Sequence, residues 1–78
     1  MNAPSTSQQL ETSDLNLASF LRCRGFPFVD LRRDPARTYF VFEDSAELRH
    51  AILDYANDQL VPVRSFCNTL RDLKALTR

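Results

Sequence analysis

The sequence predicts a small single-domain α+β fold with the element order α-β-β-α-α, in which a two-stranded antiparallel hairpin packs on helices. Apolar residues recur at three- and four-residue spacing in three segments, which is typical of helices with one buried face. Two short runs rich in β-branched and aromatic residues separate the first of these segments from the second. The chain has 78 residues and is 44% hydrophobic and 26% charged, as expected of one folded domain.

Residues 1–12 are predicted to be a disordered N-terminal tail, and residues 13–78 to form the domain. The first twelve residues are mostly small or polar and show no periodicity. They contain neither the basic region nor the apolar stretch of a secretory signal, and no apolar run reaches the roughly 18 residues of a membrane span. We therefore expect a cytoplasmic protein that makes no membrane contact.

The first helix is predicted to begin at Asp14 and to end before Gly25, the one glycine of the chain. Aspartate is a preferred N-cap residue because its carboxylate accepts hydrogen bonds from the first turn. One face of this helix carries its apolar residues, Leu17, Phe20 and Leu21. Gly25 stands where the chain leaves the last turn with a positive φ, and Phe26 is placed to fold back on that turn.

The hairpin is predicted to pair residues 26–33 with residues 38–43 across a four-residue loop. Asp34 and Pro35 suit the first two positions of a type I turn. This loop length sets three pairs, Arg33 with Thr38, Leu31 with Phe40 and Val29 with Phe42. The face expected to join the core carries Val29, Leu31, Phe40 and Phe42. The opposite face carries Phe28, Asp30, Arg32, Tyr39, Val41 and Glu43.

Two further helices are predicted to complete the domain. The second begins at Asp44 or Ser45 and ends at Asn57-Asp58, and its buried stripe is Leu48, Ala51, Ile52 and Tyr55. The third begins at Pro62, a residue favoured in the first turn of a helix. Its apolar stripe is Val63, Phe66, Leu70, Leu73 and Thr77, with Cys67 and Leu76 beside it.

Three stretches of the chain carry a resemblance to a known family: 13–18, 39–45 and 70–74. On these stretches the chain resembles small domains of unknown function from bacteria and their phages, whose order is helix, hairpin, helix, helix. The matching residues are core and capping residues. The resemblance therefore implies a compact single domain and supplies no catalytic residues.

Catalytic and metal-binding arrangements are not favoured by the residue inventory. Glu47 and His50 have the Glu-x-x-His spacing of di-iron bundles, but such a site needs a second pair and further glutamates. Cys23, Cys67 and His50 lack a fourth ligand and paired cysteine spacing for zinc. A Cys–His nucleophile has no orienting third group, and Cys67 is expected in the core. We expect a protein that is not an enzyme, with no cofactor, no metal and no small-molecule substrate.

Charges are distributed unevenly along a chain whose formal net charge is zero. Residues 22–37 contain five arginines against two aspartates, and residues 59–78 contain four cations against one aspartate. Residues 43–58 contain five carboxylates against one arginine. Nine of the ten cations lie in the two basic segments, and eight of those nine are arginine, which favours bidentate contacts to phosphate or carboxylate.

The charge pattern supports two functional hypotheses. In the first, an Arg-rich hairpin and the third helix of an accessory module contact a nucleic-acid backbone. The residues expected to bind are Arg32, Arg33, Arg37, Tyr39, Arg64, Arg71, Lys74 and Arg78. The acidic segment must then point away from the ligand, because it would repel the phosphates.

In the alternative hypothesis the protein is an interaction adaptor or homodimerisation module. A two-stranded hairpin is marginally stable alone, and its outer face would need a cover from a helix or from a second chain. The residues expected at that protein interface are Phe28, Tyr39 and Val41. Complementary acidic and basic patches would add specificity to such a contact.

Overall fold

Three antiparallel strands and three helices make up the computed structural model, which describes residues 8–77. In chain order the elements are β1 (Gln9–Thr12), α1 (Leu15–Cys23), β2 (Phe28–Arg33), β3 (Thr38–Glu43), α2 (Ala46–Ala56) and α3 (Val63–Leu76). The small α+β fold with three helices is therefore confirmed. The sheet, however, has three strands instead of the expected two. None of the helices in the described range is long and apolar enough to cross a membrane.

The additional strand comes from the segment that was expected to be a disordered tail. Residues 9–12 form β1, which pairs antiparallel with β3 from Gln9 opposite Glu43 to Thr12 opposite Phe40. Leu10 and Thr12 are half-buried and alternate with exposed Gln9 and Glu11. A run of four residues with one apolar member, Leu10, gives little local signal, because its order comes from hydrogen bonds to a distant strand. The rest of the predicted tail, residues 1–7, lies outside the described residues.

Strand β3 lies at the centre of the sheet, whose order is β1-β3-β2. Phe40 and Phe42 are fully buried on the helix side, and Val41 is 1% exposed on the opposite side. Successive side chains of a strand point to opposite faces, so this strand is covered on both. β1 and β2 are left as the two edges of the sheet.

A bulge in β2 changes one of the three predicted hairpin pairs. The pairs Arg33–Thr38 and Leu31–Phe40 are confirmed, whereas Phe28 and not Val29 lies opposite Phe42. The register shifts between Phe28 and Asp30, and an extra residue at that point turns the next side chain to the other face.

The bulge exchanges the places expected for Phe28 and Val29. The Phe28 ring packs against the core, with its centroid 5.7 Å from that of Phe40 and 6.4 Å from that of Phe42. Val29 is 53% exposed. An aromatic side chain buries much more apolar area than valine, so the bulge places the larger ring in the core.

The helices cover one face of the sheet and enclose a single core. Its buried residues are Ala18, Phe20, Leu21, Phe40, Phe42, Leu48, Ala51 and Leu73. α1 packs against both α2 and α3, whereas α2 and α3 make few direct contacts. α2 and α3 therefore lie on different sides of α1.

The helix ends follow the local sequence closely. The Asp14 carboxylate accepts hydrogen bonds from the N–H groups of Asn16 and Leu17, as an N-cap should. Ser45, and not Asp44, caps α2 by accepting from the N–H of Leu48. Pro62 precedes α3 without a side-chain cap bond.

Two helices end in left-handed turns, one at glycine and one at aspartate. Gly25 has a φ of 95°, and the Phe26 N–H donates to the Leu21 carbonyl, which confirms the expected stop of α1. Asp58 has a φ of 59° after α2, with the Gln59 N–H donating to the Asp54 carbonyl. An L-residue with a side chain is strained in this conformation, whereas glycine is not.

Substitutions at these two positions should change stability in opposite directions. Gly25→Ala should lower the free energy of unfolding by about 1 kcal/mol, because a methyl group at this φ is strained. No atom lies within 4 Å of the added Cβ, so the loss comes from the backbone alone. Asp58→Gly should raise stability by roughly 0.5 kcal/mol. Urea unfolding measures both changes. Asparagine tolerates positive φ, so Gly25→Asn should lose less stability than Gly25→Ala. A more stable Gly25→Ala variant would contradict the prediction.

Candidate nucleic-acid interface

The basic hairpin and the basic third helix meet at one end of the molecule. The Nη2 group of Arg33, the last residue of β2, donates a hydrogen bond of 2.7 Å to the carbonyl of Leu76, the last residue of α3. Carbonyls at a helix C-terminus carry partial negative charge, so the guanidinium is well placed there. The hydrogen bond joins two segments that are 43 residues apart.

Four cations define this surface, which we call the basic end: Arg33, Arg37, Arg71 and Lys74. Arg37 closes the hairpin turn, and Lys74 and Arg71 lie in the last turns of α3. All four are exposed. Lys74 and Arg71 are about 3 Å and about 8 Å from Leu76 along the helix axis, and Arg37 belongs to the turn that follows Arg33. The Arg33–Leu76 bond therefore brings the two basic segments towards one end of the molecule.

The turn holds its own carboxylate in backbone hydrogen bonds. Asp34 Oδ1 accepts from the N–H groups of Ala36 at 2.8 Å and Arg37 at 2.9 Å. These two bonds hold the pKa of the Asp34 carboxyl below its ordinary value, and the bond from Arg37 has the larger effect. The predicted four-residue loop is confirmed, and it fixes the backbone from which the Arg37 side chain projects.

The cations of α3 share one side of the helix. At about 100° per residue, Arg64, Arg71 and Lys74 fall within an arc of about 80°, and Asp72 lies outside it. Arg71 Nη1 makes a long contact of 3.5 Å with the amide oxygen of Asn68. Arg64 is about 10 Å from Arg71 along the axis and so extends the stripe away from the basic end. Arg78, which continues the same spacing in the sequence, lies outside the described residues.

Two of the predicted binding residues, Arg32 and Tyr39, are occupied by contacts within the chain. Arg32 forms a bidentate ion pair with Glu11 of β1, in which Nε donates to Oε2 at 3.0 Å and Nη2 donates to Oε1. The same guanidinium lies over the Tyr39 ring, 4.9 Å from its centroid. The hydrogen bond from Arg32 holds the pKa of the Glu11 carboxyl below its ordinary value. Sequence reasoning missed Glu11 because it lies in the segment expected to be disordered.

The ion pair between Arg32 and Glu11 also closes the outer face of the sheet. Glu11 lies opposite Val41 and Arg32 lies opposite Tyr39, so the pair crosses β3 from one edge strand to the other. Val41 is buried beneath this face, and the alternation along β3 places it on the side away from the helices. Val41 on the outer face is thus covered by side chains of its own sheet, whereas Val29, at the β2 bulge, remains 53% exposed.

This geometry corrects the predicted protein interface. Phe28 is half-buried against the core because of the bulge, and Val41 is 1% exposed. Tyr39 is half-buried under Arg32. The apolar face that was expected to need a partner is therefore absent from the described part of the chain.

Besides Val29, three other large apolar residues are exposed in the described part of the chain, and they lie outside the sheet. Leu53 is 59% exposed, Leu60 93% and Val63 72%. Val63 was expected in the core stripe of the third helix, but the residues of α3 that pack on the core are Phe66, Leu73 and Leu76. Nothing in the hydrophobic pattern distinguished Val63 from the residues that do pack.

The acidic segment is partly neutralised by arginines. Asp44 pairs with Arg49, with an Nη2–Oδ2 distance of 2.7 Å, and Asp54 pairs with Arg24 at 3.0 Å. The hydrogen bond from Arg49 lowers the pKa of the Asp44 carboxyl. Positive and negative side chains are thus less fully segregated than the sequence predicts. The acidic helix α2 nevertheless makes few direct contacts with the basic helix α3.

The cysteines are free thiols in different environments. Cys23 is half-buried, and its Sγ–H donates to Thr69 Oγ1 at 3.7 Å. Cys67 is exposed, although its sequence position predicted a place in the core. Within residues 8–77 there is no group of three or more His, Cys, Asp or Glu side chains arranged to hold a metal ion.

Replacing Glu11 tests the ion pair that closes the outer face. Pairing with Arg32 lowers the pKa of the Glu11 carboxyl in the folded state from its ordinary 4.5. The ion pair therefore stabilises the fold fully above pH 4.5, and this stabilisation is lost as the pH falls through the lowered pKa. Glu11→Gln should therefore destabilise the fold at neutral pH, and its difference from the wild type should shrink as the pH falls below 4.5. Urea unfolding at several pH values measures this. Glu47→Gln, on exposed α2 surface, is the control; an equal loss in both variants at neutral pH would contradict the prediction.

Comparisons with known proteins connect the chain to one family. Searches among curated proteins and among solved structures gave no significant match. A family model described as "Domain of unknown function (DUF5659)" matches residues 7–78, which include every helix and strand described above. The chain therefore belongs to the DUF5659 family.

Proposed function

We propose that this protein is a small non-catalytic accessory module that binds a nucleic-acid backbone through the basic end. The observation that carries the proposal is the hydrogen bond from Arg33 to the Leu76 carbonyl. It unites the two basic segments of the sequence, which would otherwise be separate and weakly charged patches.

The chemistry of the basic end suits phosphate. A guanidinium has five N–H donors, and Arg33 uses one of them on the Leu76 carbonyl. Among the described residues, the side chains of Arg37 and Lys74 form no hydrogen bond or ion pair with another residue. Arginine offers planar bidentate contacts to phosphate oxygens, and lysine contributes a point charge.

The position of the carboxylates also favours an anionic ligand. Asp34 is engaged by backbone N–H groups, and Asp72 lies off the arc of the α3 cations. The acidic helix α2 lies on the other side of α1. The repulsion that the acidic segment would exert on a polyanion is thus directed away from the basic end.

The adaptor hypothesis receives less support from the same structure. Its interface required Phe28 and Val41 at the surface, and both are turned into covered positions. The burial of these two residues favours the nucleic-acid proposal over self-association through the sheet.

The test is a salt titration of binding to DNA and RNA with the variant Arg37→Gln/Lys74→Gln. The wild type should bind at low salt, with log K falling by about 0.9 per phosphate contact for each tenfold increase in salt. The variant should bind more weakly and reduce that slope by about 2, one for each contact removed. Fluorescence anisotropy of labelled oligonucleotides measures both quantities.

A charge-matched control separates a local contact from net charge. Gln8→Glu/Gln59→Glu changes the net charge by the same amount at two exposed positions outside the basic end. It should leave the salt slope close to that of the wild type. Absence of wild-type binding at the lowest salt would refute the proposal, as would equal losses in the control and in the Arg37→Gln/Lys74→Gln variant.

A further inference from the structure

We infer that the form of nucleic acid bound is a double helix and not a single strand. This inference rests on the proposed function and concerns the ligand that the basic end fits. The chemistry common to all candidates is a paired, rigid phosphate backbone, which duplex DNA and duplex RNA both supply.

The aromatic residues provide the first argument. Proteins that bind single strands combine a basic groove with aromatic rings on which the bases stack. All eight aromatic side chains lie within residues 8–77, and every one of them is buried or half-buried. Base stacking would therefore be limited to the exposed part of a half-buried ring, unless a ring left its packing position.

Tyr39 is the ring that comes nearest to serving as a stacking platform, and it is already covered. It lies next to the hairpin end of β3, but the Arg32 guanidinium is placed 4.9 Å from its centroid. The bidentate pair with Glu11 holds that guanidinium in place. A base could reach the ring only by displacing both interactions.

The rigidity of the basic end provides the second argument. Its cations project from the end of a strand, a hydrogen-bonded turn and a helix, and the Arg33 bond to Leu76 connects these elements. Duplex DNA carries one charge per about 1.7 Å of axis, twice the density of one of its strands. A fixed set of cations therefore meets more phosphates on a duplex. A flexible single strand would also lose entropy on ordering, without stacking to offset the loss.

The experiment compares one labelled strand alone with the same strand annealed to its complement, as DNA and as RNA, at one salt concentration. The wild-type protein should bind duplex about tenfold more tightly than single strand, since stacking of even one base is worth about that factor and is missing here. With four phosphate contacts the salt slopes should be about −3.6 for duplex DNA and about −2.8 for single-stranded DNA. Equal or tighter binding of the single strand would overturn the inference. If neither form binds, the proposed function itself fails.

Two variants examine the role of the covered ring. Tyr39→Val, which keeps β propensity, should leave duplex affinity within about twofold of the wild type, because no stacked base is lost. Arg32→Gln retains the ring but removes its cover, and it should shift the ratio of affinities towards the single strand. A roughly tenfold loss of binding in Tyr39→Val, with the fold intact by circular dichroism, would overturn the inference. An unchanged ratio of duplex affinity to single-strand affinity in Arg32→Gln would also overturn the inference.

Discussion

The burial of β3 on both faces is the constraint on which the rest of the structure depends. Phe40 and Phe42 must enter the core, and the ring of Phe28 packs edge-on against both. The bulge in β2 places the Phe28 ring in the core, and the pairing from Asp30 onwards then places Leu31 on the helix side. Arg33, two residues later, points to the same side and reaches the end of α3. The basic end is thus a consequence of how the aromatic core fixes the hairpin register.

The outer face shows how a domain with one helical layer can cover its sheet without a partner. Arg32 uses the two properties that distinguish arginine from lysine: its planar fork pairs with Glu11, and its flat surface stacks on Tyr39. Together these contacts lie across β3 above Val41. The pair is exposed, so its electrostatic contribution is modest, and it also lies across the strand that carries the buried Val41. The same contacts withdraw one arginine and one ring from ligand binding.

The sequence was informative wherever a feature is set by neighbouring residues. The cap at Asp14, the stop at Gly25, the turn at residues 34–37 and two of the three hairpin pairs follow from local stereochemistry. What escaped prediction depends on distant contacts. β1 is ordered by a strand some thirty residues away, and the bulge reflects a competition between Phe28 and Val29 for one place in the core. The cations were recognised as candidates, but their partners were not: Glu11 lay in a segment without periodicity, and Leu76 contributes a backbone atom that no residue type reveals.

Intramolecular pairing also explains how a chain of zero formal net charge can present a basic surface. Three carboxylates form ion pairs with arginines: Asp44 with Arg49, Asp54 with Arg24, and Glu11 with Arg32. Of the cations left at the turn and on α3, Arg37, Arg71 and Lys74 belong to the basic end, while α2 makes few direct contacts with α3. Any attraction they exert on phosphate is local, because the chain has no formal net charge and dissolved ions screen exposed charges beyond the Debye length of about 8 Å at physiological ionic strength. Such a molecule gains little long-range steering towards nucleic acid. The binding we propose is therefore better suited to an accessory role, in which the protein acts where its ligand is already close, than to a search for a site from bulk solution.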